Sequence, residues 1–164
     1  MDDGSFSCII EIQKGSRNKY EWDHERDRLV LDRFLFSSVV YPTDYGFIPD
    51  TLSQDGDPLD VMCCVSEATF PGCMIDVKPI GLFRMEDDKG IDDKVLCVPL
   101  SDPGWNKMEE LEDLPRQLRD EIAHFFSIYK DLEQKAVKVD GWYSRGEAIE
   151  EIEASRKRFE ETAH

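Results

Sequence analysis

The hydrophobic pattern of this chain has two regimes. In the first, apolar positions come in short β-branched or alternating runs separated by turn residues, which is the pattern of strands. Ser7-Cys8-Ile9-Ile10-Glu11-Ile12 is one such run and stops at Lys14-Gly15. Asn18 to Trp22 and Arg28 to Phe36 predict the next two strands, joined by a polar turn at Asp23 to Asp27. Asp76 to Met85 and Lys94 to Leu100 flank Glu86-Asp87-Asp88-Lys89-Gly90 and predict a hairpin. In the second regime Leu118, Ile122, Phe125, Phe126 and Tyr129 recur at helical spacing behind the start signal Asp113-Leu114-Pro115. A further helix opens at the capping box Ser144-Arg145-Gly146-Glu147 and carries Ile149, Ile152, Arg156 and Phe159 along one side. Strands followed by segregated helices predict an α+β domain, a small β-barrel with helices packed outside. There is no repeat, low-complexity tract or Pro/Ser linker, so residues 1–164 read as one domain.

Composition narrows the function. Lys and Arg number 20 against 36 Asp and Glu, a formal charge of −16. So acidic a chain repels a phosphate backbone or an anionic membrane surface, which argues against nucleic-acid and membrane partners. A small anion brought in with a divalent metal remains compatible, because the metal reverses the local sign. No apolar run approaches the roughly 20 residues that span a bilayer. Met1-Asp2-Asp3-Gly4-Ser5 has neither a basic nor an apolar leader region, so no secretory signal is expected. The five cysteines, Cys8, Cys63, Cys64, Cys73 and Cys97, form no Cys-x-x-Cys and sit in apolar segments. They are expected to be buried, reduced thiols of a cytoplasmic protein.

The sharpest chemical feature is Asp55-Gly56-Asp57-Pro58-Leu59-Asp60, followed by apolar Val61 and Met62. Clustered carboxylates suit hard divalent cations such as Mg²⁺, Mn²⁺ or Ca²⁺, with Gly56 and Pro58 shaping the loop. A plain polar turn uses the same residue types, and spacing alone leaves both readings open. A calcium EF-hand does not fit, because the position requiring glycine is Asp60. Asp87, Asp88, Asp92 and Asp93 form a second acidic group, either a solvated hairpin tip or further oxygen ligands facing the first. Two facing carboxylate groups can hold the metals that clamp attacking and leaving oxygens in phosphoryl transfer. Lys19, Arg33, Lys94, Lys130 and the tyrosines at 41, 45 and 129 are candidate donors to phosphate oxygens. His24, His124 and His164 assemble no nucleophilic triad, and His124 reads as structural or surface; P-loop and His-Glu-x-x-His motifs are absent.

The ordered set of motifs resembles the family I soluble inorganic pyrophosphatases of bacterial type. Asp55-Gly56-Asp57-Pro58-Leu59-Asp60-Val61 is similar to the family signature. Around it, in family order, stand Ile10-Glu11-Ile12, Lys19-Tyr20-Glu21, Asp32-Arg33-Phe34 and Tyr41-Pro42-Thr43-Asp44-Tyr45-Gly46-Phe47-Ile48. Pro71-Gly72, Pro79-Ile80-Gly81, Asp92-Asp93-Lys94-Val95 and His124 to Glu133 follow. Gln13 replaces a usual Pro, and Asp88 stands where Glu is common. The resemblance implies an OB-like five-stranded closed barrel with flanking helices, usually a homohexamer, that hydrolyses pyrophosphate to two orthophosphates. It implies several Mg²⁺ ions per site, with Mn²⁺ or Zn²⁺ as substitutes and Ca²⁺ as an inhibitor. Asp55, Asp60, Asp87 and Asp92 would be the principal ligands, helped by Glu11, Glu21 and Asp88, with Asp60 shared between two ions. Asp57 would orient and deprotonate the attacking water. Lys19, Arg33, Tyr45, Lys94, Tyr129 and Lys130 would bind phosphoryl oxygens, and Tyr41 would line the site. Two rival classes are a non-enzymatic cation-binding module, which leaves the clustered cations unexplained, and an OB-type nucleic-acid binder, which the charge opposes.

Overall fold

A computed structural model describes residues 4–162; Met1, Asp2 and Asp3 of the expected leaderless start, and His164, lie outside the described residues. Among the described residues there are eight strands: β1 (Phe6–Ile12), β2 (Asn18–Asp23), β3 (Arg28–Phe34), β4 (Asp44–Phe47), β5 (Asp60–Cys63), β6 (Met74–Asp87), β7 (Gly90–Pro99) and β8 (Lys138–Tyr143). The helices are α1 (Arg116–Ile128) and α2 (Arg145–Thr162), with short 3₁₀ turns at Leu111–Asp113 and Asp131–Glu133.

The main sheet runs β1-β4-β5-β7-β6-β8, and β1 also pairs with β6, so five strands form a ring and β8 extends it outside β6. β2 and β3 form a separate two-stranded hairpin. All pairings in the ring are antiparallel except β5 with β7. The expected OB-like α+β architecture is therefore present, as a ring of five strands with two helices.

Three strands, β4, β5 and β8, were not singled out by the hydrophobic pattern. For β4 and β5 the reason is coverage on both faces, which removes the alternation that marks a half-buried strand. In β5, Val61 and Cys63 pack with Ile10, Ile48, Leu59, Val95, Ala148 and Ile152 against α2. Met62, between them, packs with Tyr41, Tyr45, Leu96, Ile122, Phe125 and Phe126 against α1. The β6–β7 hairpin is longer than expected, with Asp87 paired to Gly90, so Asp92 and Asp93 lie inside β7 and are buried. They are not a solvated tip. Asp93 is turned to the opposite side from Asp92 and is held by Arg84 in a two-pronged ion pair, at 2.7 and 2.9 Å.

The helix α1 buries Ile122, Phe125 and Phe126 as its spacing predicts, with His124 exposed. Helix α2 corrects the expected stripe. Its buried positions are Ala148, Glu151, Ile152 and Ser155, while Arg156 and Phe159 are exposed. The acidic run Glu109 to Asp113 packs onto the fold, with Leu111 buried and Glu109 paired with the buried Lys78 at 2.8 Å. The cysteines are free thiols, four of them buried.

One backbone contact sets how closely β4 lies on β1. A Cβ on Gly46 would sit 1.9 Å from the carbonyl oxygen of Ile9, which no side-chain adjustment relieves. Gly46→Ala is expected to destabilise the fold by about 3 kcal/mol or more, since β1 or β4 must shift. Denaturant unfolding of the variant checks this, and a loss within error of zero would contradict the packing.

Candidate active site

Five parts of the fold enclose a cavity of about 350 Å³. The ring supplies Glu11, Tyr45, Asp60, Asp87, Asp92 and Lys94; the loop before β5 supplies Asp55 and Asp57. The β2–β3 hairpin supplies Lys19, Glu21 and Arg33, the tip of the β6–β7 hairpin Asp88, and the end of α1 Tyr129 and Lys130. All the site residues expected from the sequence line it except Tyr41.

Tyr41 corrects the expectation. It is buried behind the wall, its ring 5.3 Å from that of Tyr45 and 4.8 Å from that of Phe125. The segment from Tyr41 to Tyr45 carries one tyrosine into the wall and the other into the packing that supports it.

Strand register explains the centre of the site. Asp60 on β5 stands level with Lys94 on parallel β7, and Asp92 lies two residues before Lys94 on the same face. Lys94 Nζ reaches Asp60 Oδ2 at 3.1 Å, Asp92 Oδ2 at 3.2 Å and the Tyr45 hydroxyl at 2.5 Å. Tyr45 donates to Asp60 Oδ2 at 2.8 Å. Burial of Lys94 opposes its charge, but the Asp92 and Asp60 carboxylates prevail and hold the ammonium well above the ordinary lysine range.

The carboxylates are crowded. Burial, reinforced by the Asp60 charge, pushes Glu11 up to about 8, although Glu11 Oε2 accepts the Trp22 N–H at 2.7 Å. Burial and the neighbouring Asp92, Asp60 and Asp57 charges push Asp55 up to about 6. Asp92 is also raised, by burial first and then by Asp60, with Lys94 pulling the other way. A wall in this state attracts cations, and its donors are all hard oxygens. Among the described residues no three acidic, His or Cys side chains already converge into a finished metal cluster.

The cationic wall is built by the hairpin and α1. Lys19 and Arg33 are direct cross-strand partners, and Asp32 ion-pairs with both, at 3.3 Å to Lys19. Arg33 Nε also reaches Glu133 Oε1 at 2.9 Å, tying the hairpin to the 3₁₀ turn after α1. Lys130 Nζ lies 3.7 Å from Asp87 Oδ2, and burial lowers its pKa. Asp57 stands at the rim, half exposed, with Lys89 Nζ 3.6 Å from its Oδ2.

Several contributors were missed by the sequence reading. Trp22, His24, Phe47, Lys89 and Lys135 also line the cavity, and the His24 ring meets the Phe47 ring edge-on at 5.9 Å. His24 sits in a polar turn, where nothing local marks it. Asp32 and Glu133 organise Arg33, and their neighbourhood with it is a tertiary fact. Buried Asp44 is structural, accepting the Lys14 N–H at 2.8 Å and the Thr69 hydroxyl at 2.6 Å.

The chain matches known proteins along almost its whole length. The family model described as inorganic pyrophosphatase matches residues 8–160. A protein named inorganic pyrophosphatase from Methanosarcina acetivorans is 55% identical over 153 residues, covering 93% of this chain and 91% of the relative. One of the same name from Streptomyces coelicolor is 54% identical over 157 residues, covering 95% and 96%. The solved inorganic pyrophosphatase of Thermus thermophilus superposes with a TM-score of 0.93 at 41% identity, covering 96% of this chain and 92% of that one. With fold, site composition and sequence in agreement over nearly every residue, this chain belongs to the inorganic pyrophosphatase family.

Proposed function

We propose that this protein hydrolyses inorganic pyrophosphate to two orthophosphates in the cavity described above, with the help of divalent metal ions. The observation that carries the reading is one cavity with two chemically opposite walls, carboxylates on the ring and its loop, cations on the hairpin and α1. A substrate with phosphoryl groups at both ends and metal ions bound to it matches that division. An isolated cation-binding module has no use for Lys19, Arg33 and Lys130 opposite its carboxylates.

Asp55, Asp60, Asp87 and Asp92 would hold the metal ions, with Glu11, Glu21 and Asp88 assisting directly or through water. Mg²⁺ suits such all-oxygen donors, Mn²⁺ or Zn²⁺ would substitute, and Ca²⁺, with longer and looser coordination, would inhibit. The bound ions would supply Lewis acidity, ionising water and neutralising phosphoryl oxygens. Asp57 would accept the proton of the attacking water at a carboxylate oxygen, a role its rim position allows. The water oxygen would bond to one phosphorus as the bridging P–O bond breaks. Arg33, Lys19, Lys130 and Lys94 with Tyr45, already oriented by their own ion pairs and hydrogen bonds, would bind the phosphoryl oxygens together with Tyr129. Tyr41 would support Tyr45 from behind.

The same reading places the protein in the cytoplasm as a homohexamer. Its support is the four buried free thiols and the family likeness, together with exposed Leu31, Phe34, Phe36 and Val40, apolar side chains suited to self-contact. No helix among the described residues is long and apolar enough to cross a membrane.

Phosphate release from pyrophosphate is the direct test. EDTA should abolish it, Mg²⁺ should restore it, and Ca²⁺ should support little turnover. Full activity after verified metal removal would sink the mechanism.

Metal-free stability should depend on pH through Glu11. Its folded pKa, about 8, lies above the ordinary 4.5, so between those values the folded chain retains a proton the unfolded chain has lost. Stability of the metal-free protein is therefore highest below pH 4.5 as far as this group is concerned, and falls as pH rises towards 8. The slope is at most about 1.4 kcal/mol per pH unit for one proton. Calorimetry of Glu11→Gln should show a flatter decline from pH 5 to 8 than the parent; an identical slope would remove Glu11 from the account.

The acidic loop can be divided experimentally. Asp60→Asn should weaken metal binding and rate together. Asp57→Asn should leave metal affinity nearer normal while kcat falls by about 10²–10⁴, as for loss of a general base. Direct Mn²⁺ binding and Mg²⁺ titration of activity decide it, and equal losses of affinity in both variants would make Asp57 simply another ligand.

A further inference from the structure

The loop carrying Asp55, Asp57 and Asp60 is held from two sides. At its base Thr51 Oγ1 donates to the Ile48 carbonyl at 2.6 Å and accepts the Leu59 N–H at 3.0 Å. The Ile48 N–H donates to the Leu59 carbonyl at 3.0 Å. Inside the loop, the Ser53 N–H donates to the Asp57 carbonyl at 2.7 Å and the Gly56 N–H to the Ser53 carbonyl at 3.1 Å.

The outer arm is tied to α2 instead. Both backbone groups of Leu52 go there: its N–H donates to the Ser155 carbonyl at 3.0 Å, and its carbonyl accepts from Arg158 Nη1 at 2.8 Å. Arg158 Nη2 donates to both Glu151 oxygens, at 3.3 and 3.1 Å, and Gln54 Nε2 donates to Glu151 Oε1 at 3.3 Å. Glu151 and Ser155 are buried on the face that α2 turns to the protein, beside the apolar Ala148 and Ile152. Packing alone favours aliphatic side chains at such positions, because a buried ion pair carries a desolvation cost that apolar replacements avoid. The polar stretch stands where the loop's backbone needs partners.

We propose that the Glu151–Arg158 pair is a positioning device that presets the Asp55–Asp60 loop by fixing Leu52 to the C-terminal helix. The inference rests on the reading that Asp55 and Asp60 hold divalent ions. Like charges gathered on one loop drive it outward in the metal-free protein. A guanidinium fork shared between the loop and a buried carboxylate resists that relaxation, so less ordering remains to be done when the metal binds.

The test uses the full chain. Arg158→Met keeps the stem and removes the donors; Arg158→Lys keeps the charge against Glu151 but cannot serve both partners through one planar fork. Ile149→Ala, which trims a half-buried side chain of α2 on the Gly4 and Pro79 side of the helix, away from the loop, is the control at comparable loss of Tm. Amide exchange at Gly56 and Asp57 is followed in metal-free protein, and Mn²⁺ affinity is measured by direct binding. Arg158→Met should speed loop exchange and weaken Mn²⁺ binding about 10-fold, the scale seen when groups orienting metal ligands are removed. Arg158→Lys should fall between, and Ile149→Ala should leave both readouts unchanged. Should Arg158→Met fail to fold, Glu151→Leu with Arg158→Met restores apolar packing without the tether, and the same losses are expected. Unchanged exchange and affinity in a folded variant lacking the guanidinium would overturn the proposal. If the parent protein binds no divalent ion, the metal reading fails, and loop exchange alone still decides whether the tether exists.

Discussion

The site depends on one buried ammonium. Lys94 lies almost wholly out of solvent between Asp60 and Asp92, and Asp92, itself buried, could not keep its charge at that depth without it. An unpaired charge there would be neutralised or would force the structure open; a paired one fixes the spacing of both partners. The parallel pairing of β5 with β7 makes the arrangement possible, since it sets Asp60 beside Lys94 while Asp92 stands two residues before Lys94 on the same face. One lysine against two carboxylates leaves the centre short of positive charge. Further out, burial pushes the pKa values of Glu11 and Asp55 upward, and the neighbouring carboxylate charges add to it.

Below this centre the fold is apolar on both faces of the ring. Tyr45, Phe126 and Tyr129 form an aromatic floor, with Lys94 Nζ 5.0 Å from the ring centres of both Tyr45 and Phe126. Such a floor excludes water beneath the charges and strengthens every interaction above it. The hairpin β2–β3, by contrast, is two-stranded and joins no other strand among the described residues. A ribbon of two strands is marginal alone, so its ties to the rest matter. Glu11 accepting the Trp22 N–H and Glu133 holding Arg33 are two of them, and both end at the cavity. The cationic wall is therefore positioned by contacts whose acidic partners come from the ring and from the end of α1.

Much of this was legible in the residues. The carboxylates of the acidic hexapeptide, three of the four in its companion group and the surrounding cations proved to line one cavity, because short-range chemistry at these positions is visible in side-chain type. What misled was local environment. Asp92 and Asp93 look like a solvated tip in a run of charges, yet a longer hairpin buries both and sends them to opposite sides. Tyr41 and Tyr45 sit in one short segment, and only packing against Phe125 decides which faces the cavity. The polar face of α2 was unreadable, since a hydrophobic stripe through Ile149 and Phe159 ignores partners that belong to a loop a hundred residues earlier.

The sequence by itself determined the class of the fold, most strand and helix positions, the likeness to pyrophosphatases and the types of group that the chemistry needs. These follow from periodicity and from side-chain chemistry, which are local. Only the tertiary structure decided that the strands close into a ring, that Lys94 stands between Asp60 and Asp92, that Glu133 holds Arg33 and that Arg158 holds Leu52. Those are meetings of residues far apart in the chain. Strand register and the burial of charge select them, and neither is written at any single position.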